Sequence, residues 1–556
     1  MAINNHRGLT GTKAAVDYLL SATFSARLMI KFKSEMERSP RRHRAWWLLP
    51  LLLLLPAAAL VEEHWRGHWE LQSWKHKMTA KGEMFDPAKL WPPSSAASMD
   101  FSNQLGGTVK EFSGKLNYYG ASVSTIILDG SGQAHRGSQG SFTLQNPGAY
   151  SADQTFSWEE LNQLIQEKQS ALQHLRELMK APPAGINYDI VQRLNNDSMP
   201  NFVAWRIAAQ TLHGSALNNL HKGDLQAAEQ DLEALLAFGK LGEKDPGLVS
   251  FMIRMAIIGL SVDVGWDALQ ADGWTEPQLA ALQAKCLEVT NVLSQMPKTL
   301  EAERIGRSYL LNWFRTHSYE QAVERCQKSY AGFGLKPSPK DTADPVRFWR
   351  QWVFHPLWSY AWAEQEELKY LQDLQPELAA LREAGQRQSW LALRNETKAS
   401  HQNYRAPFAA WRFYVKLPLD EGIDFSTGSK LEDSGYPYAD FSKAWFWTMR
   451  NLTLHEMVIT VIAIKRYELK HGKAPADLAA LVPEFLSDLP PDLMDGQPLR
   501  YQLGSNGCFK LYSVGDDSPD DGCPPPWKGK DWIWPQVMKA VKDPHVAAAT
   551  ASHGGE

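Results

Sequence analysis

Four carboxylates stand together in Asp516-Asp517-Ser518-Pro519-Asp520-Asp521-Gly522, and clustered oxygen donors suit a hard cation. Calcium takes six to eight oxygens, so Asp516, Asp517, Asp520 and Asp521 with nearby loop carbonyls form a candidate calcium site. The loop departs from the EF-hand pattern, because Pro519 falls where a ligand belongs and no Glu closes it. A solvated acidic turn is the alternative. Cys508 and Cys523 flank this loop and the strand candidate before it, so a disulfide between them would staple the segment. Cys286 and Cys326 fall in helical patterns and read as buried free thiols, and no CxxC spacing supports zinc.

Histidines offer little more. His64 and His68 share a helical face, the minimum for two metal ligands, but Trp65 and Trp69 beside them favour a membrane-interface role. His455-Glu456 lacks the second His of a zinc-protease helix, and neither a GxSxG nucleophile turn nor a phosphate-binding glycine loop is present. No catalytic motif emerges, and no metal or cofactor other than calcium is expected. An aromatic run at three- and four-residue steps contains Trp349, Trp352, Trp358 and Trp362. Such a stripe is ordinarily core; the alternative is a platform stacking on sugars, which requires exposed rings.

The elements that would position these residues begin with a membrane junction. Ala45–Val61 carries no charge, a length at the short limit for a spanning helix of about 17–25 residues. Arg38, Arg41, Arg42 and Arg44 precede it and Glu62 and Glu63 follow, so the N-terminus is expected in the cytoplasm and the rest across the membrane. Trp46 and Trp47 at one end, and Trp65 and Trp69 past the other, suit the two interfacial belts. The expectation is an uncleaved anchor. A cleaved signal peptide is the alternative, because Ala57-Ala58-Ala59 fits the small-residue cleavage rule. Met36 opens a compact export signal, which points to a start there rather than at Met1.

The chain has 556 residues, enough for several cores, and its net charge of −4 gives no global attraction to nucleic acid, so none is expected as a partner. The expected order is a cytoplasmic segment 1–44, an anchor 45–61, a membrane-proximal helix and linker 62–104, and a small β-rich or irregular segment 105–150. A helical body 155–440, an α+β unit 441–540 and a disordered tail 541–556 follow. Within the body, helices are predicted at 201–221, 224–240, 247–271, 276–294, 297–331 and 345–386. Leu212–Leu241, broken by Lys222-Gly223-Asp224, reads as one helical hairpin without a repeat. The fold class is therefore mainly α with a C-terminal α+β unit. That unit pairs a long helix, Ala444–His471 ending at Gly472, with strands at Leu499–Leu503 and Phe509–Val514.

Residues Ala463-Ile464-Lys465-Arg466-Tyr467-Glu468-Leu469-Lys470-His471-Gly472-Lys473-Ala474-Pro475, then Leu478, Leu481, Pro483, Leu486 and Leu489-Pro490, resemble the start of the globular domain of type II secretion pseudopilins. The resemblance continues through Asp495-Gly496-Gln497-Pro498-Leu499-Arg500-Tyr501 and Leu511-Tyr512-Ser513-Val514-Gly515, and covers about residues 445–535. It implies a long helix followed by a small antiparallel sheet, and a calcium-binding loop where the acidic cluster stands. A pseudopilin carries its membrane helix and leader-peptidase site directly before this domain, and this chain has neither there. The implied arrangement is a pseudopilin-like module on a different protein. The preceding region, with Trp65–Trp74 and Ala80-Lys81-Gly82-Glu83, is similar to membrane-anchored proteins of the Verrucomicrobia and Planctomycetes type, a likeness that implies no activity. The expected function is an inner-membrane-anchored periplasmic scaffold or secretion-associated interaction protein, with envelope or secretion proteins as partners and no catalysis. The alternative is a carbohydrate-active enzyme or sugar-binding protein using exposed Trp.

Overall fold

The computed structural model describes residues 48–90, 95–112, 158–183, 201–289, 292–332, 348, 350–402, 441–505, 507–515 and 531–534, together with four short strands between 126 and 156. Helix α1, Leu48–Ala80, starts inside the apolar run and continues without a break past Glu62-Glu63, carrying Pro56 within it. A turn at Lys81-Gly82 ends it, where Gly82 adopts a left-handed φ of 90°.

Helix α2, Ala96–Glu111, follows a single turn at Pro87–Leu90. Ser95 caps it by accepting a bond from the Ser98 amide, and Phe101, Leu105 and Val109 recur at helical spacing on its buried face. The linker expected to run up to residue 104 is thus helical from Ala96, and the segment expected to turn β-rich at 105 stays helical to Glu111. Beyond it, β1 (Ile126–Leu128) pairs antiparallel with β2 (Ala134–Arg136), and β3 (Phe142–Leu144) with β4 (Gln154–Phe156).

The body comprises α3 (Trp158–Glu167), α4 (Gln169–Met179), α5 (Phe202–His221), α6 (Leu225–Lys240), α7 (Leu248–Ala268), α8 (Glu276–Leu287), α9 (Val292–Thr316) and α10 (Tyr319–Gly332). The hairpin read at Leu212–Leu241 is α5 and α6. Gly223 turns at φ 77° and Asp224 caps α6 through the Ala227 amide. Helix α7 is the one described helix long and apolar enough to cross a membrane, yet it lies against α5, α6 and the long C-terminal helix, with Ile257, Ile258, Val264 and Trp266 buried. Its packing is that of a core helix.

After α10 come two π-helical turns, Arg350–Phe354 and Trp358–Trp362, joined by His355–Leu357, then α11 (Ala363–Arg387) and α12 (Trp390–Gln402). Pro356 explains the irregularity, because it has no N–H for the carbonyl four residues earlier and helical bonding shifts around it.

The C-terminal unit opens with α13, Ser442–His471, closed by Gly472 at φ 72°. A short 3₁₀ turn at Leu478–Leu481 leads to the β5 (Pro491–Asp492) and β6 (Gln497–Pro498) hairpin. Strands β7 (Arg500–Leu503), β8 (Phe509–Ser513) and β9 (Trp532–Trp534) then form an antiparallel sheet in that order, pairing Arg500 with Tyr512 and Leu511 with Trp534. The chain is thus mostly helical with small antiparallel sheets, as the composition and periodicity predict.

One hydrophobic cluster runs from Phe101 in α2 through α5–α8 and α13 to Trp534 in β9, continuous across residue 440. Helix α13 is its axis. Leu454, Met457, Val458, Val461, Ile462, Ala463 and Ile464 are buried on every side, which accounts for a stretch with no polar face.

Candidate functional site

Helix α1 and the segment leading into α11 lie side by side and run the same way, because partners rise together along both. The His64 ring stacks on Tyr360 at 4.6 Å and its Nδ1 donates to the Tyr360 carbonyl at 2.7 Å. One turn on, His68 meets Glu364 at 3.2 Å, and Gln365 donates to the Glu63 carbonyl at 2.9 Å. Gly67 makes this approach possible, since a Cβ there would lie 2.7 Å from Gln365 Cγ. Farther along, Lys75 pairs with Glu367 at 2.5 Å, and Leu71 packs on Leu368 and Leu371. His64 and His68 are thereby occupied with holding two helices together.

A further attachment is Glu83, just past the end of α1. Its buried carboxylate accepts from both terminal nitrogens of Arg382, at 2.6 and 2.9 Å, from Arg304 at 2.9 Å and from Gln375 at 2.8 Å. Arg304, whose side chain is fully buried, also donates to the Met84 carbonyl and lies 4.7 Å over the Phe85 ring. Burial alone would raise the Glu83 pKa. The bonds from Arg382 and Gln375 and the charge of Arg304 outweigh it and hold the group down at about 2.

On another face of the body, α4, α6, α8 and α9 border a cleft of about 820 Å³. Lys180, Lys240, Lys244, Lys285 and Lys298 line it with Glu243, Asp245 and Glu288, and its lining includes no Trp. Glu288 is held by Lys240 at 3.1 Å and Lys285 at 3.2 Å. Gln295 on its wall accepts from the buried Arg254, which also donates to the Gly239 carbonyl at 2.8 Å. Burial pulls the Arg254 pKa down to about 10 against the opposing charge of Glu243.

A third cluster joins Cys286, His455 and Glu456, residue types that suggest nucleophile, base and acid. The geometry does not assemble them so: His455 Nε2 donates to the Cys286 backbone carbonyl at 3.0 Å rather than serving the thiol. Burial, followed by the charge of Glu456, pushes the Cys286 thiol up to about 12, so the thiolate is disfavoured. Burial likewise lifts Glu456 to about 7 and lowers His455.

The residues named from sequence are dispersed. Trp358 is buried beside Leu311, Phe314 and Ala322, and its indole donates to Glu366 at 2.5 Å. Trp362 is half-buried, Trp352 is exposed, and the Trp349 side chain lies outside the described residues. Trp352 and Trp358 are six residues apart and fall about 120° from one face even at 3.6 residues per turn, and the π turns shift the phase further. Asp516, Asp517, Asp520, Asp521 and Cys523 lie outside the described residues, as do segment 1–44, the tail and the Cys326 side chain. Cys508 is exposed just before β8, and Cys286 is buried as expected. Among the described residues no group of three or more His, Cys, Asp or Glu is placed to hold a metal. Sequence reading missed Glu83 and the cleft lysines, whose only prior signal was charge amid apolar periodicity.

Comparison of the chain with protein-family models, curated proteins and solved structures finds no match.

Proposed function

We propose that this chain is a single-pass, inner-membrane-anchored scaffold of the bacterial envelope. Its N-terminus is cytoplasmic, and its helical body and pseudopilin-like end stand on the periplasmic side, where they engage envelope or secretion proteins. One observation carries the reading: α1 is a single helix from the apolar run into the body, where Leu71 and the Glu83 cluster fix it. An anchor joined by a flexible tether would leave the body free to tumble; a continuous pinned helix sets its orientation to the membrane. The arginines before the run and the glutamates after it support the topology. The order of a long helix and then a small antiparallel sheet supports the pseudopilin-like reading of the C-terminal unit. The sugar-binding alternative calls for several exposed Trp rings, and of the aromatic run Trp352 is exposed, Trp362 half-buried and Trp358 buried. Among the described residues the cleft lining holds no Trp and its Glu288 pairs with two lysines, which favours the scaffold reading.

Two measurements test this. Mass spectrometry of the mature protein should find α1 intact, whereas an N-terminus created at Ala57-Ala58-Ala59 would remove the anchor. Cross-linking of the full-length protein in intact cells, followed by purification in detergent, should recover envelope or secretion components. Recovery of none sinks the scaffold role.

A further inference from the structure

The cleft bordered by α4, α6, α8 and α9 carries five lysines against three carboxylates, with Leu90, Met179, Pro183 and Leu241 among its apolar lining. Each carboxylate is engaged. Glu288 is shared by Lys240 and Lys285 at 3.1 and 3.2 Å. The buried Asp245 accepts from the Gly247 amide of its own turn at 2.9 Å, and the charge of Glu243 acts on Arg254. Lys180 pairs with Glu177 at 2.6 Å. Lys244 and Lys298 are exposed and have no ion pair among the described residues.

Helix ends account for Lys240 and Lys285, which lie in the last turns of α6 and α8, where terminal carbonyls favour cations. They do not account for Lys298, in the second turn of α9, or for Lys244, in the turn after α6. One hydrogen bond brings these two to the same wall. Gln295 Nε2 donates to the Glu243 carbonyl at 2.6 Å; Lys244 is the next residue along, and Lys298 follows Gln295 at helical i,i+3 spacing on one face of α9. Behind that wall Arg254 donates through Nη1 to Gln295 Oε1, and its Nη2 is buried with no hydrogen-bond partner among the described residues. With its pKa still at about 10, the guanidinium stays charged at neutral pH and adds a fixed positive charge beneath the cleft.

A cleft of about 820 Å³ falls within the range of small-ligand sites, about 300–1,000 Å³. Two unpaired ammonium groups above a buried guanidinium suit a doubly charged anion, and a phosphate monoester carries about −1.5 to −2 near neutral pH. Lysine binds phosphate as a point charge, whereas forked recognition of carboxylate belongs to arginine, which is absent from the described lining. We propose that the cleft binds a phosphorylated molecule with an apolar body. Lys244 and Lys298 hold the phosphate, with the Arg254 charge behind them, and Leu90, Met179, Pro183 and Leu241 take the apolar part. The site belongs to the helical body and does not depend on α1 lying in a membrane.

Calorimetric titration of the full-length protein in detergent tests this, with phenyl phosphate as the soluble probe and dihexanoyl phosphatidic acid as the lipid one. Phenyl phosphate should bind saturably with a dissociation constant below about 1 mM, while inorganic phosphate and phenol each bind more weakly. Lys244→Gln and Lys298→Gln, both at exposed positions, should each weaken binding about tenfold, and Lys110→Gln, outside the cleft, should leave it unchanged. Tighter binding of phosphatidic acid, lost in the same two variants, upholds the site and assigns its phosphate to a lipid headgroup. Saturable binding of neither probe overturns the proposal. Binding that survives both cleft substitutions, or that falls equally with Lys110→Gln, also overturns it. Thermal unfolding of each variant at the temperature of the unmodified chain separates loss of binding from loss of fold.

Discussion

Glu83, just past the end of α1, ties that helix to the body, because three side chains from α9 and α11 converge on one buried carboxylate. Removing it leaves Arg304 buried without its partner, which costs about 3–5 kcal/mol in comparable clusters. The pH dependence follows from the same geometry. The folded-state value of about 2 lies below the ordinary 4.5, so the contribution is complete above about pH 4.5 and is lost as pH falls toward 2. At about 1.4 kcal/mol per pH unit this amounts to roughly 3 kcal/mol. Urea unfolding should therefore show Glu83→Gln less stable than the unmodified chain by roughly 3 kcal/mol near neutral pH, with the gap closing in acid. A gap that stays constant with pH would show that the carboxylate charge is not what holds the junction. None of this was legible in the sequence. Glu83 sits 221 residues from Arg304 and 299 from Arg382, and nothing local marks it as different from a solvated turn residue.

At the scale of elements, local chemistry was readable wherever it decided the outcome. Gly472 ends α13 and Asp224 starts α6 because each satisfies its terminus within a few residues. The linker expected before residue 105 is helical from Ala96, because small polar residues such as Ser95 suit both a linker and a cap, and only burial of Phe101, Leu105 and Val109 decides for the helix. The aromatic run does not form a single stripe, because Trp352 and Trp358, six residues apart, lie about 120° from one another at 3.6 residues per turn, and the π turns around Pro356 shift the phase further. Contact between α7 and α13 depends on a different local feature, the small residues of α7. A Cβ at Gly265 would lie 3.2 Å from Val458 Cγ1 in the packed core, whereas one at Gly306 in α9 meets nothing within 4 Å. Gly265→Leu should destabilise by about 1–3 kcal/mol through overpacking. Gly306→Ala should stabilise by up to about 1 kcal/mol through helix propensity. Thermal unfolding of the two variants separates the causes. Helix propensity acting alone would make both substitutions stabilising, and that result would refute close packing at Gly265.

For the whole molecule, the question is whether the C-terminal unit is a domain or a part. Its sequence reads as self-contained, with a long helix, a 3₁₀ turn and a sheet in an order resembling a pseudopilin's. Yet α13 has no solvent face along Met457–Ile464, because α7 and α8 cover what the sheet does not. Polar groups cross the same boundary. The Trp390 and Leu391 amides donate to the Leu493 and Met494 carbonyls at 2.8 and 3.0 Å, and Gln283 of α8 donates to the Phe485 carbonyl at 2.7 Å. Gly496, at φ 80°, fits beneath the Arg387 carbonyl, 3.1 Å from where a Cβ would stand. A fragment of residues 441–540 alone would expose the apolar side of α13 to water and strip partners from several buried backbone groups. Each large side chain so uncovered forfeits about 1.5–3 kcal/mol of burial, more in sum than the few kcal/mol by which a unit of this size is ordinarily stable. The fragment should therefore be aggregated or molten, with no cooperative thermal transition. A fragment from residue 158 to 540, which retains α7, α8 and α12, should unfold in one cooperative step. A sharp, reversible transition in the 441–540 fragment would make the C-terminal unit an autonomous domain and its contacts with α7 and α8 secondary.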